Sequence, residues 1–222
     1  VGYYNAAVKI KTILVSVETS FGTELLPRAS YYIQTGELKE FRRITQKALN
    51  FVVLVAAPLM LYFIYFAKEG IFFLSGNAYA GSIVPMQVIM PTLLLIGISN
   101  ILGIQILVPT GREKIVLYSE IVEAVVDIII NAILIPIYAS TGAALGTLVA
   151  EFVVLAVQYG VLKNEVRDSF KQIHYIKIII ALVLASVLSL WVKMLNLGSF
   201  VTLVISTILF FGAYGLILLI FK

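Results

Sequence analysis

The chain has 222 residues, 61% hydrophobic and 13% charged, with 16 Lys and Arg against 12 Asp and Glu, one His and no Cys. A soluble domain averages ~45–50% apolar and ~25% charged residues, so the composition excludes an ordinary soluble globule. Without cysteine there are no disulfides or thiolate metal sites. A net charge of +4 on a chain of mean hydropathy +1.03 reports membrane orientation before it reports a nucleic-acid partner.

Residues 48–67, 70–111, 128–150 and 194–221 contain no Asp, Glu, Lys or Arg. About 20 apolar residues suffice to cross ~30 Å of hydrocarbon, so the chain reads as a polytopic membrane protein. Long continuous apolar runs specify helices, since a barrel shows short alternating segments instead. The expected fold is an all-α bundle of about seven helices, at roughly 3–34, 48–75, 82–109, 114–136, 141–162, 176–195 and 198–221. The chain opens VGYYNAAVKIK, with no initiator Met and no secretory signal, so it is expected to be a piece of a longer protein.

The first helix carries Lys9, Lys11, Glu18, Glu24 and Arg28. Lys11 and Glu18 are seven apart and Glu24 and Arg28 four apart, so each pair shares a face. This helix is too charged to face lipid all round. Lys9 and Lys11 lie toward one end, where snorkelling accounts for one or both. Arg28 has an interfacial position and Glu24 as a ready partner.

The next loop, TGELKEFRRITQK at 35–47, is basic, through Lys39, Arg42, Arg43 and Lys47. The second helix ends at SGNAYAGS (75–82), and the third carries Asn100 and Gln105 before PTGREK (109–114), which adds Arg112 and Lys114.

The fourth helix contains YSEIVEAVVDIIINAI, residues 118–133. Glu120, Glu123, Asp127 and Asn131 fall at i, i+3, i+7 and i+11, a single narrow stripe. At ~1.5 Å rise per residue, Asp127 lies about 20 Å beyond Lys114, near mid-membrane. A central Asp facing lipid costs ~2.5–3.5 kcal/mol, so the stripe faces protein or water. Two readings stand for each residue: a polar path or ion-coupling group, and a satisfied contact between helices. As a set they favour a hydrated interior.

After PIYASTGA (136–143), the fifth helix begins with GAALG (142–146), small residues suited to close helix contact. Glu151 and Gln158, seven apart, share a face there. Residues 163–175 form a second strongly basic loop, with Lys163, Arg167 and Lys171, and Lys177 follows. The last two helices occupy 176–222, ending in Lys222. The basic residues Arg28, Lys39, Arg42, Arg43, Lys47, Arg112, Lys114, Lys163, Arg167, Lys171, Lys177 and Lys222 occupy alternate connections. By the positive-inside rule these are cytoplasmic, the first residue lies outside and the C-terminus inside.

The segments GYYNAAVKIK, FGTELLPRASYYI, GNAYAGSIVPMQVIM, SNILGIQILVPTGREK and IPIYASTGAALGTLVAE occur in the order found in polysaccharide repeat-unit flippases. These are relatives of the lipid II flippase in the multidrug/oligosaccharidyl-lipid/polysaccharide exporter superfamily. The chain resembles the C-terminal half of such a protein. The resemblance implies residues 1–162 as five helices of the C-terminal lobe of a two-lobed exporter fold, 163–175 as a cytoplasmic loop, and 176–222 as two additional helices. It implies a multi-pass transporter of the cytoplasmic membrane that moves an undecaprenyl-pyrophosphate-linked oligosaccharide by alternating access. Partners would be that glycan lipid, the bilayer and a polysaccharide polymerase, with no nucleic acid. In the resembled family, the helix corresponding to the first borders the central cavity.

On this basis the expected substrate path is Lys9, Lys11, Glu18, Glu123, Asp127 and Asn131. The expected interhelical polar contacts are Glu24, Arg28, Asn100 and Glu151. His174, the one histidine, lies in a basic loop, and no nucleophile context, metal-ligand spacing or phosphate-binding glycine loop is visible. No cofactor is expected, and an enzyme is not. The alternatives are a cation-coupled multidrug antiporter of the same superfamily, a membrane enzyme of glycan assembly, and a membrane scaffold.

Overall fold

The structure, a computed structural model, describes residues 2–195 and 197–221, with side chains for all of these except residues 20–24. It is helical, with no strand among the described residues. The elements are α1 (Gly2–Gln34), α2 (Leu38–Tyr65), α3 (Ala67–Ser75), a 3-10 segment Asn77–Ser82, α4 (Ile83–Ile89) and α5 (Thr92–Asn100). A π-helical segment, Ile101–Leu107, continues α5. Then come α6 (Glu113–Lys171), α7 (Tyr175–Leu190) with a 3-10 extension Trp191–Leu195, and α8 (Ser199–Ile220).

α6 is a hairpin. At Ala139 the backbone takes φ 49°, ψ −122°, and the chain reverses. The two arms, 113–138 and 140–171, then pack against each other. The Gln158 amide donates to the Ser119 hydroxyl across them at 3.1 Å. GAALG supplies the close approach: a Cβ on Gly142 would fall 2.3 Å from the Leu134 carbonyl oxygen, and one on Gly146 2.2 Å from Asn131 Oδ1.

With the hairpin divided, nine α-helices are described rather than about seven. The excess comes from breaks inside two expected helices. The expected helix 48–75 breaks at Phe66 into α2 and α3. The expected helix 82–109 breaks at Pro91, which has no N–H to continue the ladder, and the two parts bend by 45°. After the break the Leu93 N–H donates to the Met90 carbonyl, three residues back instead of four, and the Thr92 hydroxyl donates to the Ile89 carbonyl at 2.6 Å.

The two basic loops are shorter than expected. α2 begins at Leu38 because Phe41, Thr45, Ala48, Leu49 and Val52 form a buried face while Arg42, Arg43 and Lys47 stay exposed. The stretch 163–175 is helical through Lys171, with Leu162 and Val166 buried and Lys163 and Arg167 exposed.

α2, α6, the helix Tyr175–Leu195 and α8 are long and apolar enough to cross a membrane, and the bent pair Asn77–Ile89 and Thr92–Leu107 makes a fifth if it counts as one span. Within α6 the two arms are ~39 and ~48 Å long, so each exceeds ~30 Å of hydrocarbon. Ile128, Ile176 and Ile208 are 69%, 75% and 67% exposed. Apolar surface of this extent is stable against lipid, not water. The chain is a multi-pass membrane protein.

The core runs through Leu49, Phe66, Ile71, Met86, Ile89 and Leu93. α8 is tied to it by side-chain hydroxyls. Tyr62 bonds Ser206 and Thr207 at 2.9 and 2.8 Å, and Tyr214 donates to the Leu54 carbonyl at 2.9 Å. At the α2–α3 break, Lys193 donates to the Tyr65 carbonyl, pairs with Glu69 at 3.7 Å and sits 5.0 Å above the Phe66 ring. One lysine thus satisfies a carbonyl that the break leaves open.

The basic connections gather at one end of the bundle. Gln46 of α2 bonds Gln172, and Arg112 makes a two-pronged bond to Glu165 at 2.7 and 2.8 Å. Lys222 lies outside the described residues.

Candidate functional site: an acidic cleft beside the helical hairpin

On the first arm of α6, Glu120 at the head of the stripe is exposed, but Glu123, Asp127 and Asn131 are half-buried toward the second arm, while Ile121, Val125 and Ile128 of the same arm face outward. Where the arms meet the end of α5 and the π segment, a cleft of about 310 Å³ opens. Its polar wall is made by Ser99, Asn100, Glu120, Glu123, Glu151 and Gln158.

The local sequence accounts for the shape. The π segment bulges the helix after Asn100, and Gly103 lets Gln158 come within 3.2 Å of the position a Cβ would take there. Gln158 in turn holds Ser119, one residue before Glu120. The serine and the glutamine therefore fix the start of the stripe without using up its carboxylates.

The carboxylates are close to one another. Glu123 lies within electrostatic reach of Glu151, Glu120 and Asp127, and within hydrogen-bonding reach of Glu120. Lys11 of α1 lies within reach of Glu151. Four acidic groups and one lysine thus share a polar region inside an otherwise apolar bundle. Such an arrangement can exchange protons, bind a cation, or accept hydrogen bonds from a polyhydroxylated ligand.

The remaining expected residues separate. Lys9 is exposed, whereas Lys11 is partly buried toward Glu151. Glu18 does not line the cleft. It is 2% exposed, its carboxyl lies against Gly97 with Val52 beside it, and neither oxygen has a hydrogen-bond partner. Asn131 is also packed rather than open, its Oδ1 buried beside Gly146. Asp127 Oδ1 is buried without a hydrogen-bond partner, deeper along the arm than the cleft wall. Asn100 and Glu151, expected as contacts between helices, are cleft residues. Arg28 is exposed; the Glu24 side chain that was to pair with it lies outside the described residues.

Ser99, Ser119 and Gln158 were not among the expected site residues. Gln158 could have been found from its seven-residue spacing to Glu151. The two serines carry no signal in a helix that distinguishes a cleft wall from ordinary packing.

At the basic end, the Arg112 hydrogen bonds hold the Glu165 carboxyl below its ordinary range, and Glu165 raises Arg112 in turn. Among the described residues no group of His, Asp and Glu is arranged to hold a metal ion.

No family model matches the chain. It is 25% identical over 212 residues to an uncharacterized membrane protein of Methanocaldococcus jannaschii, an alignment covering 96% of this chain and 42% of that protein. The chain therefore spans less than half the length of this relative.

Proposed function

We propose that this chain is the C-terminal lobe of a flippase that carries a lipid-linked oligosaccharide repeat unit across the cytoplasmic membrane, with the basic end of the bundle in the cytoplasm. The acidic cleft is the observation that carries the reading. A glycan headgroup crosses a bilayer only if its hydroxyls keep hydrogen-bond partners along the way. Glu120, Glu123, Asn100 and Glu151 supply acceptors and donors at one wall, while the isoprenoid tail stays in lipid. Lys11 faces the same region and is a compact cation suited to a phosphate that must be released again. The order of the five family-like segments supports the same reading, and alternating access of two lobes would move the headgroup.

A second reading follows from the sign of the cleft. Three carboxyls in the wall, Glu120, Glu123 and Glu151, with Asp127 beyond them and one lysine nearby, favour a cationic ligand, as in a cation-coupled antiporter. The two readings separate in the full-length protein. Under the flippase reading, Glu123→Gln and Lys11→Ala lower export of surface polysaccharide without lowering protein level, and lipid-linked repeat units accumulate in the inner leaflet. Lys9→Ala, at an exposed position, has little effect. Normal export in the first two variants together with lost efflux of a cationic dye supports the antiporter instead.

A further inference from the structure

A second cleft, of about 300 Å³, lies at the basic end between the end of α1, the first turns of α2, the end of the π segment and the last turns of α6. We propose that it binds the phosphate headgroup of an anionic membrane phospholipid. The proposal rests on the chain crossing a membrane and not on the flippase reading.

Three observations converge. The first is Thr45, which lines the cleft, is 4% exposed, and whose hydroxyl has no hydrogen-bond partner. A buried hydroxyl left unpaired is costly, so its position at a cleft wall points to a missing acceptor.

The second is the local charge. Arg42 lines the cleft one helical turn before Thr45, so guanidinium and hydroxyl lie on the same side of α2. Glu165 is the acidic group in the wall, and both of its oxygens accept from Arg112 at 2.7 and 2.8 Å. Arg112 Nε is occupied as well, donating to the Thr110 hydroxyl at 3.0 Å. Arg112 and Glu165 offset each other. Arg42 lies within electrostatic reach of Glu165 as well but makes no hydrogen bond to it, so its N–H groups stay open to an anion and the two arginines leave the wall with net positive charge. A phosphate oxygen between Arg42 and Thr45 would receive a charge-assisted bond and a neutral one.

The third is the floor. Phe41, Ile106 and Val166 are buried beneath the polar rim, with Ile33 and Leu38 at its edge. Free phosphate gains nothing from an apolar floor, whereas the glycerol and first methylenes of a lipid do. The cleft also lies at the ends of spanning helices, the depth of headgroups. Lys39, Lys47, Lys163 and Arg167 are exposed at the same end and raise the local concentration of anionic lipid.

The test uses the full chain in phosphatidylcholine nanodiscs containing phosphatidylglycerol, followed by detergent exchange and native mass spectrometry. The expected result is one retained phosphatidylglycerol. Its retention falls about tenfold in Arg42→Gln and severalfold in Thr45→Val. Arg43→Gln removes the same charge one residue away, from a side chain that pairs with Glu40 at 3.5 Å, and should retain the lipid as wild type does. In phosphatidylcholine alone, Thr45→Val should melt no lower than wild type, because it deletes a hydroxyl with no protein partner. Equal loss in Arg42→Gln and Arg43→Gln would reduce the effect to a general surface field and overturn the site. So would displacement of the lipid by inorganic phosphate at equal concentration, or a lower melting point for Thr45→Val in phosphatidylcholine.

Discussion

Gly142→Ala tests the hairpin on which the acidic cleft depends. The added methyl would lie 2.3 Å from the Leu134 carbonyl oxygen, 2.5 Å from its carbon and 2.9 Å from the Ile135 nitrogen. All three are backbone atoms, so no rotamer change relieves the clash and the arms must separate by ~1 Å to restore ordinary contact. Overpacking of this kind costs ~1–3 kcal/mol. The better helix propensity of Ala returns up to ~1 kcal/mol. With three backbone contacts under 3.0 Å the overpacking cost falls in the upper part of its range, ~2–3 kcal/mol. The net expectation is therefore a loss of about 1–2 kcal/mol, or roughly 2–8 °C in the melting midpoint of a chain this size.

Gly146→Ala is the internal comparison. The three atoms nearest its methyl all belong to the Asn131 side chain, the closest at 2.2 Å. That side chain can leave its rotamer for ~0.5–1.5 kcal/mol, which the propensity gain nearly cancels. Both variants can be followed in detergent by the loss of helical circular dichroism on heating. A Gly142→Ala protein that melts at or above wild type, or a larger loss for Gly146→Ala, would refute the close packing of the two arms.

Three further outcomes are expected. Because the chain has no cysteine, single cysteines report sidedness without background: at Asn77 and Ser140 they should react with an impermeant thiol reagent from outside, and at Arg43 they should not. The reverse pattern would invert the proposed orientation. Asp127→Asn should express and assemble better than Asp127→Lys, since an amide keeps hydrogen bonding at a buried position while a longer cation must be accommodated; equal levels would place the residue on an open surface. Glu165 has its carboxyl lowered by Arg112, so its contribution is fully present above the ordinary glutamate range and is lost as pH falls through the lowered value. Half exposure and solvent screening keep it under about 1 kcal/mol. The melting difference between wild type and Glu165→Gln should be constant at neutral pH and shrink below about pH 4.5; a difference that grows on acidification would contradict the pairing.

Much of the membrane architecture was legible in the chain because uncharged length is a direct consequence of bilayer thickness. The i, i+3, i+7, i+11 stripe gave its own direction, since four polar side chains cannot all face lipid on one arm. Breaks inside apolar helices were harder. Pro91 interrupts a run that stays apolar on both sides, so hydropathy passes over it, and at Phe66 the mark was only Lys68 and Glu69, two charges between long apolar stretches. The basic loops misled in the other direction, because charge was read as loop although Phe41 with Thr45, and Leu162 with Val166, kept a buried face at helical spacing. Glu18 shows the limit for the site. Its spacing to Lys11 put both on one face of a helix, yet only the fold shows α5 bringing Gly97 against the Glu18 carboxyl. The same limit applies to Asn131, whose burial depends on a glycine fifteen residues away across the turn.

The central claim, a water-filled acidic cleft that receives a glycan headgroup at membrane depth, is tested most directly by a cysteine at Asn100. In the full-length protein, Asn100→Cys should react with a charged, membrane-impermeant thiol reagent, while Ile128→Cys on the lipid-facing side should not. Purified lipid-linked oligosaccharide should slow that labelling. A cysteine at 100 that reacts no faster than one at 128 would contradict the hydrated cleft, and labelling that a cationic drug slows but the glycan lipid does not would contradict the substrate.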